Sequence, residues 1–370
     1  MLRMSETSDN PRDIRTEFDT LRRGRATDEY LRKLRESINS TVPSVPPFRA
    51  EIHIATRCNG RCNYCPSWVE KGELTPPELI ERFIREFHEV GGQYIGFFGG
   101  EPMLHPQLPN FLKLCRNLGL QCGFVTNGLN LDRENMRRIV DAAPSLMLLS
   151  VDSLKPETYE RTRGVSGEKV LNAIKVLEEM TPGSGIQVLL ACVISSANMD
   201  DPIPLLEFAE KRGWWMFYQG VHIDRSAPTI KADLWPSEAQ ITRIEGVMEE
   251  LVTRKRRGAP IMSDEDYLAN IGRHFRNPKL MVMPCLVGWI SMFLEPDGTV
   301  YPGCGMKPAA RLGSRPLAEI WRSPAFRLAR LRMRHGLCRG CWWQCTAEES
   351  LFWMRTLGIK PAGIRGARLP

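Results

Sequence analysis

From Ala50 to Gly220 short β-rich runs alternate with helical patterns, and this alternation limits the possible folds more than any other feature. Strands are expected at Glu51 to Ala55, Tyr94 to Phe98, Gln121 to Thr126, Leu146 to Val151, Ile186 to Ile194 and Trp214 to Tyr218. Helical patterns fill the gaps near Pro77 to Val90, Gln107 to Leu118, Arg133 to Asp141, Glu168 to Met180 and Ile203 to Lys211. Roughly six parallel βα units follow. The expected fold class is α/β, a partial (β/α)6 TIM-like barrel short of the eight units of a closed one. Ligands of such folds gather beyond the carboxyl ends of the strands, so functional residues are sought there.

The flanks divide the rest of the chain. Residues 1–46 read as a charged N-terminal extension with one helix from Asp28 to Ile38, and 47–225 as the barrel. A helical linker at 226–280 includes an amphipathic pattern over Pro236 to Arg256, a small cysteine-rich C-terminal domain spans 281–350, and 351–370 form a tail. The polar start shows no secretory or transit signal, and the longest uncharged stretch, Leu280 to Leu294, is broken by Pro284 and Gly288. A cytoplasmic protein without a membrane partner is expected. The net charge of +7 is spread along the chain, so no nucleic-acid partner is expected either.

Eight of the eleven cysteines lie near other cysteines, which points to metal centres rather than disulfides. Directly after the first strand stands Cys58-Asn-Gly-Arg-Cys62-Asn-Tyr-Cys65. Three thiolates on one loop leave one coordination position of a four-ligand centre open. A zinc site completed by His53 or His88 is the alternative.

Further on, Cys285 precedes a hairpin pattern with the turn Glu295-Pro-Asp-Gly298, Cys304 follows it, and Cys338, Cys341 and Cys345 form a compact knuckle. Five cysteines complete one four-ligand cluster with one to spare, and a zinc ribbon uses the same spacings. Cys115, Cys122 and Cys192 lie inside helix or strand patterns and are read as core.

The Cys58–Cys65 loop, with Tyr64 before its last cysteine, resembles the C-x3-C-x2-C signature of the radical S-adenosylmethionine (SAM) superfamily. Gly99-Gly100-Glu101-Pro102 after the second strand is similar to that family's GGEP motif, and the later cysteines resemble its SPASM and twitch extensions. The resemblance implies a [4Fe-4S] cluster on Cys58, Cys62 and Cys65, with SAM on its open iron. It also implies one auxiliary cluster, taken as [4Fe-4S], drawn from Cys285, Cys304, Cys338, Cys341 and Cys345. A flavodoxin- or ferredoxin-type donor would supply the electron that splits SAM into methionine and a 5'-deoxyadenosyl radical.

By the same resemblance Tyr64, Gly99, Gly100 and Glu101 belong to the SAM site, Ser150 and Asp152 are assigned to its ribose and Arg163 to its carboxylate. Thr126 and Asn127 read equally as turn residues. Tyr218, His222 and Asp224 follow the sixth strand, as handlers of a substrate proton or as structural residues. The expected substrate is a small molecule that is oxidised, epimerised or rearranged. A peptide-modifying enzyme is the alternative, and a non-catalytic zinc-ribbon binding protein is the alternative of another class.

Overall fold

The structure is a computed structural model that describes Gly24 and residues 26–40, 42–68, 72–222, 232–278, 283–303, 306–337 and 342–360. Six parallel strands form where the alternation placed them: β1 (Arg49–Ala55), β2 (Tyr94–Gly99), β3 (Gln121–Thr126), β4 (Leu146–Ser150), β5 (Gln187–Ile194) and β6 (Trp215–Gly220). The sheet does not close into a barrel.

The crossovers start cleanly. Proline opens the helices Pro77–Glu89, Pro156–Arg163 and Pro202–Glu210, where its missing N–H breaks no helical bond. Asp132 caps Arg133–Ala142 through the amide of Asn135. Their apolar stripes, such as Ile80, Phe83, Ile84 and Phe87, are fully buried against the sheet. The helix Pro156–Arg163 is absent from the sequence expectation; it is short and largely polar, with Tyr159, Thr162 and Arg163 as its buried residues.

Two findings redraw the expected domain boundaries. The hairpin β7 (Ser291–Leu294) and β8 (Thr299–Tyr301) is not a separate layer: β7 pairs in parallel with β1, and β9 (Ala310–Arg311) extends β8. One nine-stranded sheet results, in the order β6-β5-β4-β3-β2-β1-β7-β8-β9. The hairpin takes the β1 edge because that edge's backbone N–H and C=O groups need partners.

The second finding concerns the open side of the barrel, which the segment 342–349 crosses. At the β6 side, Trp342 and Tyr267 exchange hydrogen bonds of 3.1 Å and stack, and the amide of Asp264 donates to Glu348 at 3.1 Å. At the β1 side, Arg49 donates to Glu349 at 2.8 Å. A cavity of about 410 Å³ lies between this segment and the inner faces of the strands. No helix among the described residues is long and apolar enough to cross a membrane.

Candidate active site

The cysteine loop leaves β1 at its carboxyl end and is held from three directions. From β2, the amides of Gly100 and Glu101 donate to the carbonyls of Ala55 and Arg57. The approach is so close that a Cβ on Gly99 would stand 2.2 Å from the Ala55 carbonyl, and one on Gly100 2.2 Å from that of Arg57. Gly99 also has φ +139°, a conformation L side chains rarely adopt, so the glycine pair is required by the backbone itself.

From β3, the Asn127 amide nitrogen donates to Asn59 at 2.8 Å and reaches Cys58 Sγ at 3.9 Å. Asn127 therefore acts on the cysteine loop, beyond shaping its own turn. From β4 and the following helix, Asn63 donates through its backbone to Thr162 and through its side chain to Arg161. Gly164, at φ +62°, lets the end of that helix come against the Arg61 carbonyl, 2.2 Å from where its Cβ would be.

Several residues assigned to SAM prove to be engaged by the protein. Asp152 is fully buried and takes a bidentate pair from Arg163 at 2.8 and 2.7 Å, the Tyr64 hydroxyl at 2.9 Å and the Val193 amide at 2.9 Å. Its two oxygens have no room for ribose hydroxyls, and Arg163 is committed to it rather than to a SAM carboxylate. Both are corrected to positioning residues that clamp Tyr64, over whose ring the Arg163 guanidinium lies at 5.5 Å.

Glu101 is equally occupied, accepting from Thr126 and the Asn127 amide at 2.7 Å and from the Met103 amide at 3.0 Å. Burial pushes its carboxyl up to about 6 against those hydrogen bonds. Its side chain ties β2 to β3. Ser150 lies on the same face of β4 as Leu146 and Leu148, which line the cavity.

Beyond β6, Tyr218 is buried and its hydroxyl donates to the Pro202 carbonyl, while its neighbours Phe217 and Gln219 face the cavity. Strand alternation turns it outward, so it is a core residue. His222 hydrogen-bonds the Trp342 carbonyl at 2.9 Å and stacks on Trp343 at 4.2 Å. Burial pushes it down to about 4, so its ring is neutral where it fastens the 342–349 segment. Asp224, Cys304, Cys338 and Cys341 lie outside the described residues.

The donor chemistry fits an iron–sulfur cluster. The three thiols share one short loop and are mutually close: burial, opposed by Arg163 and helped by Asp152, Cys65 and Cys58, raises Cys62 to about 11. Burial also raises Cys58, opposed by the Gly60 amide that donates to its sulfur at 3.3 Å. Such thiols ionise when a cationic centre binds them. Among the described residues no three metal-binding side chains stand at the spacing of a single ion.

In the C-terminal region Cys285 and Cys345 flank one element. Ser350 contacts Cys285 Sγ at 3.5 Å and accepts from the Leu286 amide. Cys345 stands on the cavity wall in a π-helical turn, Gln344–Glu348.

Sequence reasoning missed a third feature, the inner face of β1. Arg49, Glu51 and His53 point into the barrel while Ala50, Ile52 and Ile54 are fully buried outside. The alternation Arg-Ala-Glu-Ile-His-Ile is the signal that would have found it.

Comparison with known proteins agrees with this geometry. The radical SAM superfamily model matches residues 52–209, and the SPASM model, described as an iron-sulfur cluster-binding domain, matches 285–345, from Cys285 to Cys345. Similar curated proteins include a PqqA peptide cyclase of Granulibacter bethesdensis, 29% identical over 76% of this chain and 75% of that one. Another is an AdoMet-dependent heme synthase of Methanosarcina barkeri, 27% identical over 76% and 85%. Among solved structures, SuiB of Streptococcus suis superposes with a TM-score of 0.65 at 16% identity, covering 91% of this chain and 80% of that one. The chain is an enzyme of the radical SAM superfamily with a C-terminal SPASM-type iron–sulfur domain.

Proposed function

We propose that this enzyme modifies a peptide, using Cys58, Cys62 and Cys65 to hold the SAM-binding [4Fe-4S] cluster and cysteines among Cys285, Cys304, Cys338, Cys341 and Cys345 to hold the auxiliary one. The carrying observation is the relationship to PqqA peptide cyclases over three quarters or more of both chains, in Granulibacter bethesdensis and, at 26% identity over 82% and 81%, in Methylobacterium nodulans. This revises the small-molecule expectation, which leaned on the small N-terminal extension.

When bound, the first cluster supplies the electron that cleaves SAM; a flavodoxin- or ferredoxin-type protein would deliver it. The chain's own part is placement. Gly99 and Gly100 bring the β2 carbonyls beside the cysteine loop, and Asp152 and Arg163 fix Tyr64 against it. The cavity of about 410 Å³ is large enough to admit side chains.

Peptides encoded beside the gene, incubated anaerobically with reconstituted enzyme, SAM and a reductant, should show a mass change that needs all three components. Unchanged peptides alongside turnover of a small molecule would overturn the reading.

A further inference from the structure

The floor of the cavity carries polar groups that the fold leaves open. Among the described residues Glu51 accepts a hydrogen bond from Arg49 on Oε1 alone. Its Oε2 lies over Gly96, its partner across β1 and β2, where a Cβ would stand 2.3 Å away. One strand further, the Tyr94 hydroxyl lies over Gly123, 2.7 Å from where a Cβ would be, and no described residue hydrogen-bonds it. Gly96 and Gly123 are paired across β2 and β3, so two adjacent strands give up side chains at one level to seat these two oxygens.

Among the described lining residues Arg49 is the one base. Arg49 is spent on two carboxylates, Glu51 and Glu349, and its guanidinium lies 5.1 Å over the Tyr94 ring. An incoming anion would meet the Glu51 carboxylate in a pocket walled by Phe98, Phe124 and Phe217. An incoming cation would complete the floor.

We infer that the cavity floor binds a positively charged group of the substrate, an alkylammonium or guanidinium such as a lysine or arginine side chain carries, with Glu51 Oε2 as its counter-ion and the Tyr94 hydroxyl as a second acceptor. The inference rests on the cavity being the substrate site of the proposed function. Burial raises the Glu51 carboxyl above the usual range, with Arg49 opposing, and an added cation would oppose it further.

Three probes of equal length test this on the reconstituted, SAM-loaded enzyme: hexylamine, hexanol and hexanoate, with affinities measured by calorimetry or ligand-observed magnetic resonance. Hexylamine should bind at least about tenfold more tightly than hexanol, with hexanoate weakest, as a charge-assisted hydrogen bond implies. Glu51→Gln should remove the preference, and Tyr94→Phe should reduce it by about threefold. Equal binding of all three by the unmutated enzyme, or a preference for hexanoate, would overturn the inference whatever the variants do.

None of the probes is a peptide, so the two readings fail separately. An amine preference with no peptide turnover would sink only the peptide reading. A modified peptide without amine preference would sink only this one.

Discussion

The cysteine loop and the cavity floor are built from the same strands yet satisfy their polar groups in opposite ways. Beside the loop, Asp152 has both oxygens engaged by Arg163, Tyr64 and Val193, and Glu101 has both engaged by Thr126, Asn127 and Met103. On the floor, Glu51 Oε2 and the Tyr94 hydroxyl have no described partner and rest on glycines. A buried polar group satisfied within the chain holds shape, and one left open beside a cavity waits for a ligand. The loop is thus a fixed cradle for a cofactor common to the family, while the floor is the proposed place of substrate selection.

The comparison breaks most severely at the cradle. Replacing Cys58, Cys62 or Cys65 by Ala should abolish both SAM cleavage and the iron held by that loop, read as 5'-deoxyadenosine and iron content in one preparation. Next in size, Asp152→Ala leaves the Arg163 guanidinium buried without its partner. It should lower unfolding stability by about 3–5 kcal/mol in denaturant titration, and residual SAM cleavage should fall with it. A loss under about 1 kcal/mol would mean the cradle is not held by this pair.

A smaller effect is expected from Gly100→Ala, whose added Cβ meets the Arg57 carbonyl at 2.2 Å. About 1–3 kcal/mol of stability should go, and SAM affinity with it, because the clash is with backbone and cannot be turned aside. Smallest is a pH effect at the 342–349 segment. Burial pushes His222 down to about 4 and His274 to about 3, against an ordinary value of 6.5.

Their neutral rings therefore contribute stability that is present above about pH 6.5 and lost as pH falls towards those lower values. The melting temperature should drop between pH 6.5 and 4, and more gently in His274→Phe. An identical slope in both proteins would remove the histidines from the account.

How much of this was legible in the sequence follows the same division. Periodicity found β1 to β6 within two residues at either end, because buried parallel strands such as Gln187–Ile194 are near-continuous apolar runs. The helix Asp28–Ile38 was placed at both ends, since Thr27 caps it and charge patterning marks its exposed face. Cysteine spacing and the glycine pair located the cradle.

What stayed hidden was pairing over distance. Nothing local says that Asp152 belongs to Arg163, that β7 docks on β1, or that Glu349 reaches Arg49 across 300 residues. Tyr218 was misplaced for a subtler reason: it lies within β6, one residue out of phase with Phe217 and Gln219, which line the cavity.

The most direct test of the central claim follows a label from substrate to cofactor. A candidate peptide with deuterated side chains, turned over by the reconstituted enzyme, should pass deuterium into 5'-deoxyadenosine if, as proposed, hydrogen is taken from a side chain held in the cavity. Unlabelled 5'-deoxyadenosine from every peptide, with deuterium arriving only from a labelled small molecule, would contradict it.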